Sequence, residues 1–246
     1  MTLVAHRATI AGRLVQAEVA LRPGEVTAIC GPNGAGKSTL LAALAALVAP
    51  DEGEVRLDDV RLTTMPARAR ARAIGYLPQT PELAWDIDVA TLAGLGRLPW
   101  RTSREEDRVA VAETLSALDL APLARRAVSS LSGGERARAL LARVLAGRPR
   151  WILADEPLAA LDLAHQNALL ARLRLLAEAG IGVVVVLHDL ASAVNRADRV
   201  VVLDRGRIAA DDVPERALSP QRLAAIWGVT GRWLGEPGAR ALSLRG

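Results

Sequence analysis

The 246-residue chain has no Phe, one Tyr and one Cys, and aromatic residues make up 2% of it. The lone Cys30 excludes an intramolecular disulfide and a cysteine-built metal site, and it fits a reducing compartment. Long apolar runs are missing too. Residues 40–49 and 182–187 are too short or too interrupted to span a bilayer. The first ten residues carry His6 and Arg7, and no signal-type apolar segment or cleavage site follows. A soluble, cytoplasmic chain is therefore expected. Charge of one sign is scarce as well: the net charge is +4, and basic residues are scattered among acidic ones. The densest basic cluster, residues 68–72, alternates Arg with Ala and reads as a solvated surface rather than a nucleic-acid site.

What is present is aliphatic. Hydrophobic residues reach 51%, mostly Ala, Leu and Val, enough for an extensive core. The length suits one large domain, or a core domain with a substantial insertion. Of the 31 Lys and Arg residues, one is Lys, and it is Lys37, inside a glycine-rich loop. A compact ammonium enters a tight phosphate nest where a planar guanidinium does not.

Val26–Cys30 is a short apolar run that reads as a buried strand, followed by a helix over 37–48 that Pro50 and the 51–53 turn end. Residues 54–57 and 61–63 are candidate edge strands, and Ile74–Leu77 is another strand. From 80 to 150 the pattern turns helical, with segments at 89–95, 104–118 and 135–146. Strands return at Trp151–Ala154, 182–187 and 199–203, with a helix over 163–179 between the first two. Alternating strands and helices imply an α/β fold with a mostly parallel sheet. The helical block 80–150 reads as an insertion between two parts of one core, 1–79 and 151–246.

Gly31-Pro32-Asn33-Gly34-Ala35-Gly36-Lys37-Ser38-Thr39 fits the phosphate-loop pattern, glycine, four residues, then Gly-Lys-Ser. Glycines let successive N–H groups converge on phosphate oxygens, and the following helix adds its positive end. Lys37 would contact the β- and γ-phosphates, and Ser38 would ligate Mg²⁺. Without its preceding strand and its Lys, the same run would be a turn before a helix.

Trp151–Ala154 delivers Asp155 and Glu156 to the end of a buried strand, where ligands of α/β sheets bind. Asp155 would hold Mg²⁺ and Glu156 would orient the attacking water. Alone, such a pair is a turn; beside a phosphate loop it becomes a site. Leu131-Ser132-Gly133-Gly134-Glu135 precedes a helical run. Ser132 and Glu135 form a capping box, while Ser132, Gly133 and Gly134 also offer an anion site at a helix start.

Phosphate loop, Leu-Ser-Gly-Gly-Glu and Asp-Glu strand, in this order, resemble the ATP-binding-cassette ATPases over essentially the whole chain. The resemblance implies a phosphate-loop (RecA-like) α/β core, a mostly parallel sheet with an antiparallel β edge and an inserted α-helical subdomain. It implies roles for further residues. Gln79 matches the glutamine loop that senses Mg²⁺ and the membrane partner, and His188 matches the switch histidine at the γ-phosphate. Ala160-Leu161-Asp162 matches the loop that crosses a dimer interface. ATP and Mg²⁺ are then the cofactors, bound between the phosphate loop of one copy and Ser132, Gly133 and Gly134 of the other in a head-to-tail homodimer.

The implied partners are an integral membrane permease and, indirectly, an extracytoplasmic substrate-binding protein; no nucleic acid is expected. The chain would sit peripherally at the cytoplasmic face of the membrane. The segment 80–100, with Trp85 and Trp100, would contact the permease; the two tryptophans would otherwise fill the insertion's own core. Leu95-Gly96-Arg97-Leu98-Pro99-Trp100 and the tail 227–244 resemble the subgroup that imports iron-siderophores, haem or vitamin B12. An exporter ATPase and a non-transport cassette acting on nucleic acid or ribosomes remain as alternatives.

The chain departs from the family at three places. Residues 1–30 hold no aromatic to stack on adenine, leaving His6, Arg7 or Ile10 as candidates. Ala137 stands where Gln is common, and Ala154 replaces a larger aliphatic. Cys30 reads as a small core residue, with a redox sensor as the other possibility.

Overall fold

Strand β3 (Val26–Cys30) is buried at every residue, as its mainly apolar run requires. The computed structural model describes residues 2–79, 86–159 and 161–245. Before β3 come two strands, β1 (Leu3–Ile10) and β2 (Leu14–Leu21), and after it α1 (Lys37–Leu44), β4 (Glu52–Leu57) and β5 (Val60–Arg61). Helix α2 (Ala67–Ala73) leads to β6 (Ile74–Leu77). Helices α3 (Val89–Gly94), α4 (Arg104–Ala117) and α5 (Gly133–Ala146) follow. The chain then alternates β7 (Trp151–Ala154), α6 (Leu163–Glu178), β8 (Gly182–Val186), α7 (Leu190–Arg196) and β9 (Arg199–Asp204). It ends with β10 (Arg207–Asp212), short helical turns within 214–227, and a hairpin of β11 (Thr230–Leu234) and β12 (Ala241–Arg245).

The main sheet has the order β10-β9-β3-β8-β7-β6, parallel except for the β10–β9 edge. A second, antiparallel sheet has the order β2-β1-β4-β5. Successive residues of the central strands feed opposite cores, as the period of two dictates. Ala28, Cys30, Ile152, Ala154, Val183 and Val185 pack with α3, α5 and α6 residues such as Leu92, Leu141 and Leu173. Ile29, Leu153, Val184, Val186, Val201 and Leu203 pack with Leu40, Leu41 and the apolar face of β1, β2 and β4.

Two expectations change. The first helix ends at Leu44 rather than 48. Ala46 takes φ 54, and the Leu47 and Ala46 N–H groups donate to the Ala42 and Ala43 carbonyls. That is the Schellman pattern, with Ala where Gly is usual. The Arg-Ala run at 68–72 lies on α2 and is not uniformly solvated. Arg70 donates to the Leu62 and Met65 carbonyls at 3.0 and 3.1 Å, and Arg72 donates to the Pro99 carbonyl at 2.9 Å. Arg68 alone of the three is exposed.

Candidate active site

The site forms where parallel strands end. Gly31 follows β3 directly, and Gln79, Glu156 and His188 each stand two residues beyond β6, β7 and β8. Because those three strands are sheet neighbours in parallel register, residues distant in sequence meet at one edge.

After β3 the loop turns through Gly34 at φ 77 and Gly36 at φ 97 before α1 begins at Lys37. The Lys37 ammonium, with the residue 5% exposed, donates to the Gly31 and Pro32 carbonyls at 3.0 Å each. Burial pushes its pKa below the ordinary lysine value, opposed chiefly by the Glu156 carboxylate. Asn33, Gly34, Gly36, Lys37, Ser38 and Thr39 line a cavity of about 570 Å³ together with Arg13, Gln79, Glu156 and His188. Ala35 is buried beneath the loop, and its carbonyl accepts from Gly206 N–H at 3.1 Å.

Asp155 is buried, and its Oδ1 accepts from Ser38 Oγ at 3.0 Å. Desolvation raises its pKa above the usual aspartate value, against the lowering effect of the Ser38 bond. Tyr76 Oη lies 3.5 Å from the other oxygen, and burial with that carboxylate nearby pushes the phenol up to about 12. Ser38 and Asp155 thus converge as two hard oxygen donors, a set suited to Mg²⁺. Gln79 is turned toward Glu156 instead: its Nε2 donates to Glu156 Oε2 at 2.6 Å. His188 Nε2 takes the other oxygen at 2.5 Å. Glu156 sits at φ 47, past the end of β7, and it is this left-handed turn that separates the carboxylates.

Ser132 caps α5 as expected. Its Oγ accepts from Glu135 N–H at 3.3 Å, and Glu135 Oε2 accepts from Ser132 N–H at 2.8 Å, a pairing worth about 1 kcal/mol. Ser132, Gly133 and Gly134 do not line the Lys37 cavity of the same chain. A neighbour that the sequence reading missed is His165. An ideal Cβ on Gly134 would lie 1.9 Å from His165 Cδ2, so the ring rests on the start of α5. Asp162, the α6 cap, anchors that ring through Nδ1 at 2.7 Å and the His165 N–H at 2.9 Å. Ala160 of the same loop lies outside the described residues.

Trp85, with residues 80–84, also lies outside them. Trp100 packs where the helical block meets α2: Arg97 of the block and Arg72 of α2 stand over its ring at 4.7 Å each, and its Nε1 donates to the Gly147 carbonyl at 3.0 Å. Arg97 is buried and bonds Asp107, Thr102 and the Ala146 carbonyl. This favours the reading of Trp100 as part of the block's own packing. Leu95 and Leu98 remain exposed beside it.

None of His6, Arg7 and Ile10 lines the cavity. His6 is exposed beside Glu18, and Ile10 packs against the core. Arg13 lines it instead, and no sequence signal marks it. Its place comes from packing of the β1–β2 turn on the loop.

The family model described as ABC transporter matches residues 14–159. The hemin import ATP-binding protein HmuV of Pseudomonas entomophila strain L48 is 44% identical over 216 residues, covering 85% of this chain and 84% of that protein. HmuV of Rhodococcus jostii strain RHA1 is 47% identical over 224 residues, covering 89% and 77%. Among solved structures, an ABC transporter of metal-chelate type in an inward-facing conformation aligns with TM-score 0.84 at 25% identity, covering 99% of this chain and 96% of that one. A dimeric ATP-binding cassette bound to ADP and Pi aligns with TM-score 0.76 at 29% identity, covering 86% and 98%.

Proposed function

Because this chain belongs to the ABC transporter family, as one of its ATP-hydrolysing subunits, we propose that it powers haem import through a separate membrane permease. The observation that carries the substrate class is the similarity to hemin import proteins at 44–47% identity over most of the chain. No helix among the described residues is long and apolar enough to cross a membrane, so the passage itself belongs to other chains. The subunit would act as a homodimer on the cytoplasmic face, with an extracytoplasmic binding protein delivering the cargo. Residues 1–79 and 151–246 form the nucleotide-binding core in this reading, and 80–150 the inserted helical part.

The residues present fit Mg-ATP. Gly31, Pro32, Asn33, Gly34, Ala35 and Gly36 shape the loop around the triphosphate. Lys37 exchanges its two carbonyl partners for phosphate oxygens, and Thr39 lines the same wall. Ser38 would ligate the ion and Asp155 would hold it through its water shell, with Gln79 joining them after leaving Glu156. Bound Mg²⁺ supplies charge neutralisation at the β- and γ-phosphates. Glu156 orients the attacking water and takes its proton, and His188 holds Glu156 and then the γ-phosphate. Ser132, Gly133 and Gly134 close the nucleotide from the second copy. Their capping box and free first-turn N–H groups offer an anion a ready partner. ATP then favours the closed dimer by its differential affinity, and hydrolysis removes it.

The test is reconstitution. The tagged chain, purified with its permease and binding protein, is placed in liposomes and assayed for ATP-dependent hemin uptake. Uptake that requires both ATP and Glu156 is expected. A complex that hydrolyses ATP and transports cobalamin or a ferric siderophore, but not hemin, sinks the substrate assignment.

A further inference from the structure

We infer that His165 is a positioning residue for the ATP-joined dimer: its ring ties the loop before α6 to the start of α5, where Ser132, Gly133 and Gly134 would grip the nucleotide of a second copy. The inference rests on the head-to-tail reading above. Helix α5 belongs to the segment 80–150 and α6 to 151–246, so a contact between them spans the two parts of the chain. Gly134 is buried, and an ideal Cβ there would overlap Cδ2 and Nε2 of His165. The edge of the ring therefore lies directly on the α5 backbone. Beyond this contact a cavity of about 160 Å³ opens between the helices, lined by Ala137 and Leu141 of α5 and by Ala168 and Arg172 of α6.

The other side of the ring is fixed as well. Asp162 Oδ1 accepts from His165 Nδ1 at 2.7 Å and from the His165 N–H at 2.9 Å. The His165 N–H, and then its ring, hold the Asp162 carboxyl below the usual aspartate range. An ionised carboxylate only accepts, so Nδ1 carries the proton and the ring cannot turn without losing that bond. Next in sequence, Gln166 Nε2 donates to the Leu158 and Leu161 carbonyls at 3.3 and 2.9 Å. The first turn of α6 thus holds the loop on one side and the α5 start on the other. A ring over a glycine is ordinarily packing. Here it is anchored to a charged group of the loop, and the backbone it meets carries first-turn N–H groups that lack helical partners. A shift of that loop against a second copy would pass through the α6 turn to those N–H groups. Their position decides how well a phosphate is held, since such donors work by being aimed in advance.

The experiment starts from the Glu156→Gln chain, in which an ATP-joined dimer is expected to accumulate. To it are added His165→Ala, His165→Asn, Asp162→Ser, and His165→Ala with Asp162→Ser together. Asn keeps a donor where Nδ1 stands and lacks the edge that meets Gly134. Ser keeps the helix cap and does not reach the ring. Light scattering follows dimer against Mg-ATP concentration, and calorimetry follows Mg-ADP, which lacks the γ-phosphate and reports the phosphate loop alone. His165→Ala and His165→Asn are expected to raise the Mg-ATP concentration for half-dimerisation roughly five- to thirtyfold, with Mg-ADP affinity unchanged. Asp162→Ser is expected to weaken dimerisation beside His165 and to add little to His165→Ala. Parent-like dimerisation by His165→Ala, even with lower stability to urea, makes the ring a filler and overturns the inference. Equal loss of Mg-ADP affinity and dimer overturns it too, as does full multiplication of the two single effects in the double variant. If His165→Ala does not fold, His165→Asn, which keeps the tie to Asp162, decides on the same two readouts. A Glu156→Gln chain that binds Mg-ATP and forms no dimer, alone or with its permease, would remove the head-to-tail reading itself, and the inference with it.

Discussion

His188 Nε2 lies 2.5 Å from Glu156 Oε1, while Gln79 Nε2 holds the second oxygen at 2.6 Å. The Glu156 side chain is 12% exposed, against 47% for His188, so the histidine covers the carboxylate from the solvent side. With both oxygens engaged, Glu156 is oriented before any water arrives, and one bond must open for it to act. In the proposed mechanism Gln79 would be the one to release, because its amide would then join the metal ligands.

Glu156→Gln is expected to slow phosphate release by roughly 10²–10⁴-fold, since an amide cannot take up the proton of the attacking water. Lys37, Ser38 and Asp155 are untouched, so Mg-ATP still binds and an ATP-joined dimer accumulates. Light scattering after size-exclusion chromatography measures this directly. Asp155→Asn is expected to give little dimer, having lost the negative charge and one of the two carboxylate oxygens beside Ser38. Parent-rate hydrolysis by Glu156→Gln would remove Glu156 from the chemistry.

Lys37→Arg is expected to abolish most ATP hydrolysis in a protein that stays folded. The ammonium fits between two carbonyls at 3.0 Å in a buried position, and a forked guanidinium cannot occupy that point without displacing them. Phosphate release and circular dichroism together check it. Near-normal turnover would show that the loop accommodates either cation.

Gly134→Ala is expected to destabilise the protein by roughly 1–3 kcal/mol, because the new methyl meets the His165 ring. Moving the ring breaks its bond to Asp162, so relief is not free. In a His165→Ala background the same substitution becomes nearly neutral. A double-mutant cycle by urea unfolding measures the coupling; additive effects would mean the ring does not rest on Gly134.

Cys30 is fully buried, and desolvation pushes its thiol up to about 12. The native thiol therefore stays neutral, and alkylation by a maleimide near pH 8 is expected only on unfolding. The linkage has a definite sign. Above the ordinary value of 9.0 the unfolded thiol ionises and the native one does not, so this residue makes stability fall as pH rises toward about 12. Cys30→Ala flattens that alkaline limb. Rapid labelling of the folded chain would instead place Cys30 within reach of solvent and revive the redox reading.

The residues of β3, β6 and β7 were legible in the sequence to the residue: β3 and β7 are short, mainly apolar runs buried at every position, and β6 is bounded by the buried Ile74 and Leu77. Of the antiparallel sheet, β4 and β5 were legible to within two residues of their bounds, and β1 and β2 were not. β1 and β2 mix exposed and buried positions, and Arg7 and Gln16 at φ 48 and 50 interrupt them with left-handed residues. The hairpin Thr230–Leu234 with Ala241–Arg245 and the end of α1 escaped as well, the latter because Ala46 gives no glycine signal.

The sequence by itself determined the parts whose chemistry is local. A glycine loop leading to Lys37, a capping box of Ser132 with Glu135, and a buried strand ending in two carboxylates are each set by a few consecutive residues. Tertiary structure decided what depends on distance in space. Gln79, Glu156 and His188 meet because β6, β7 and β8 run parallel as neighbours and end level. Arg13 reaches the same cavity because the glycines at 36 and 206 let a foreign turn approach their backbones. Strand order and close approach are properties of how separate segments pack, and no short window of residues contains them.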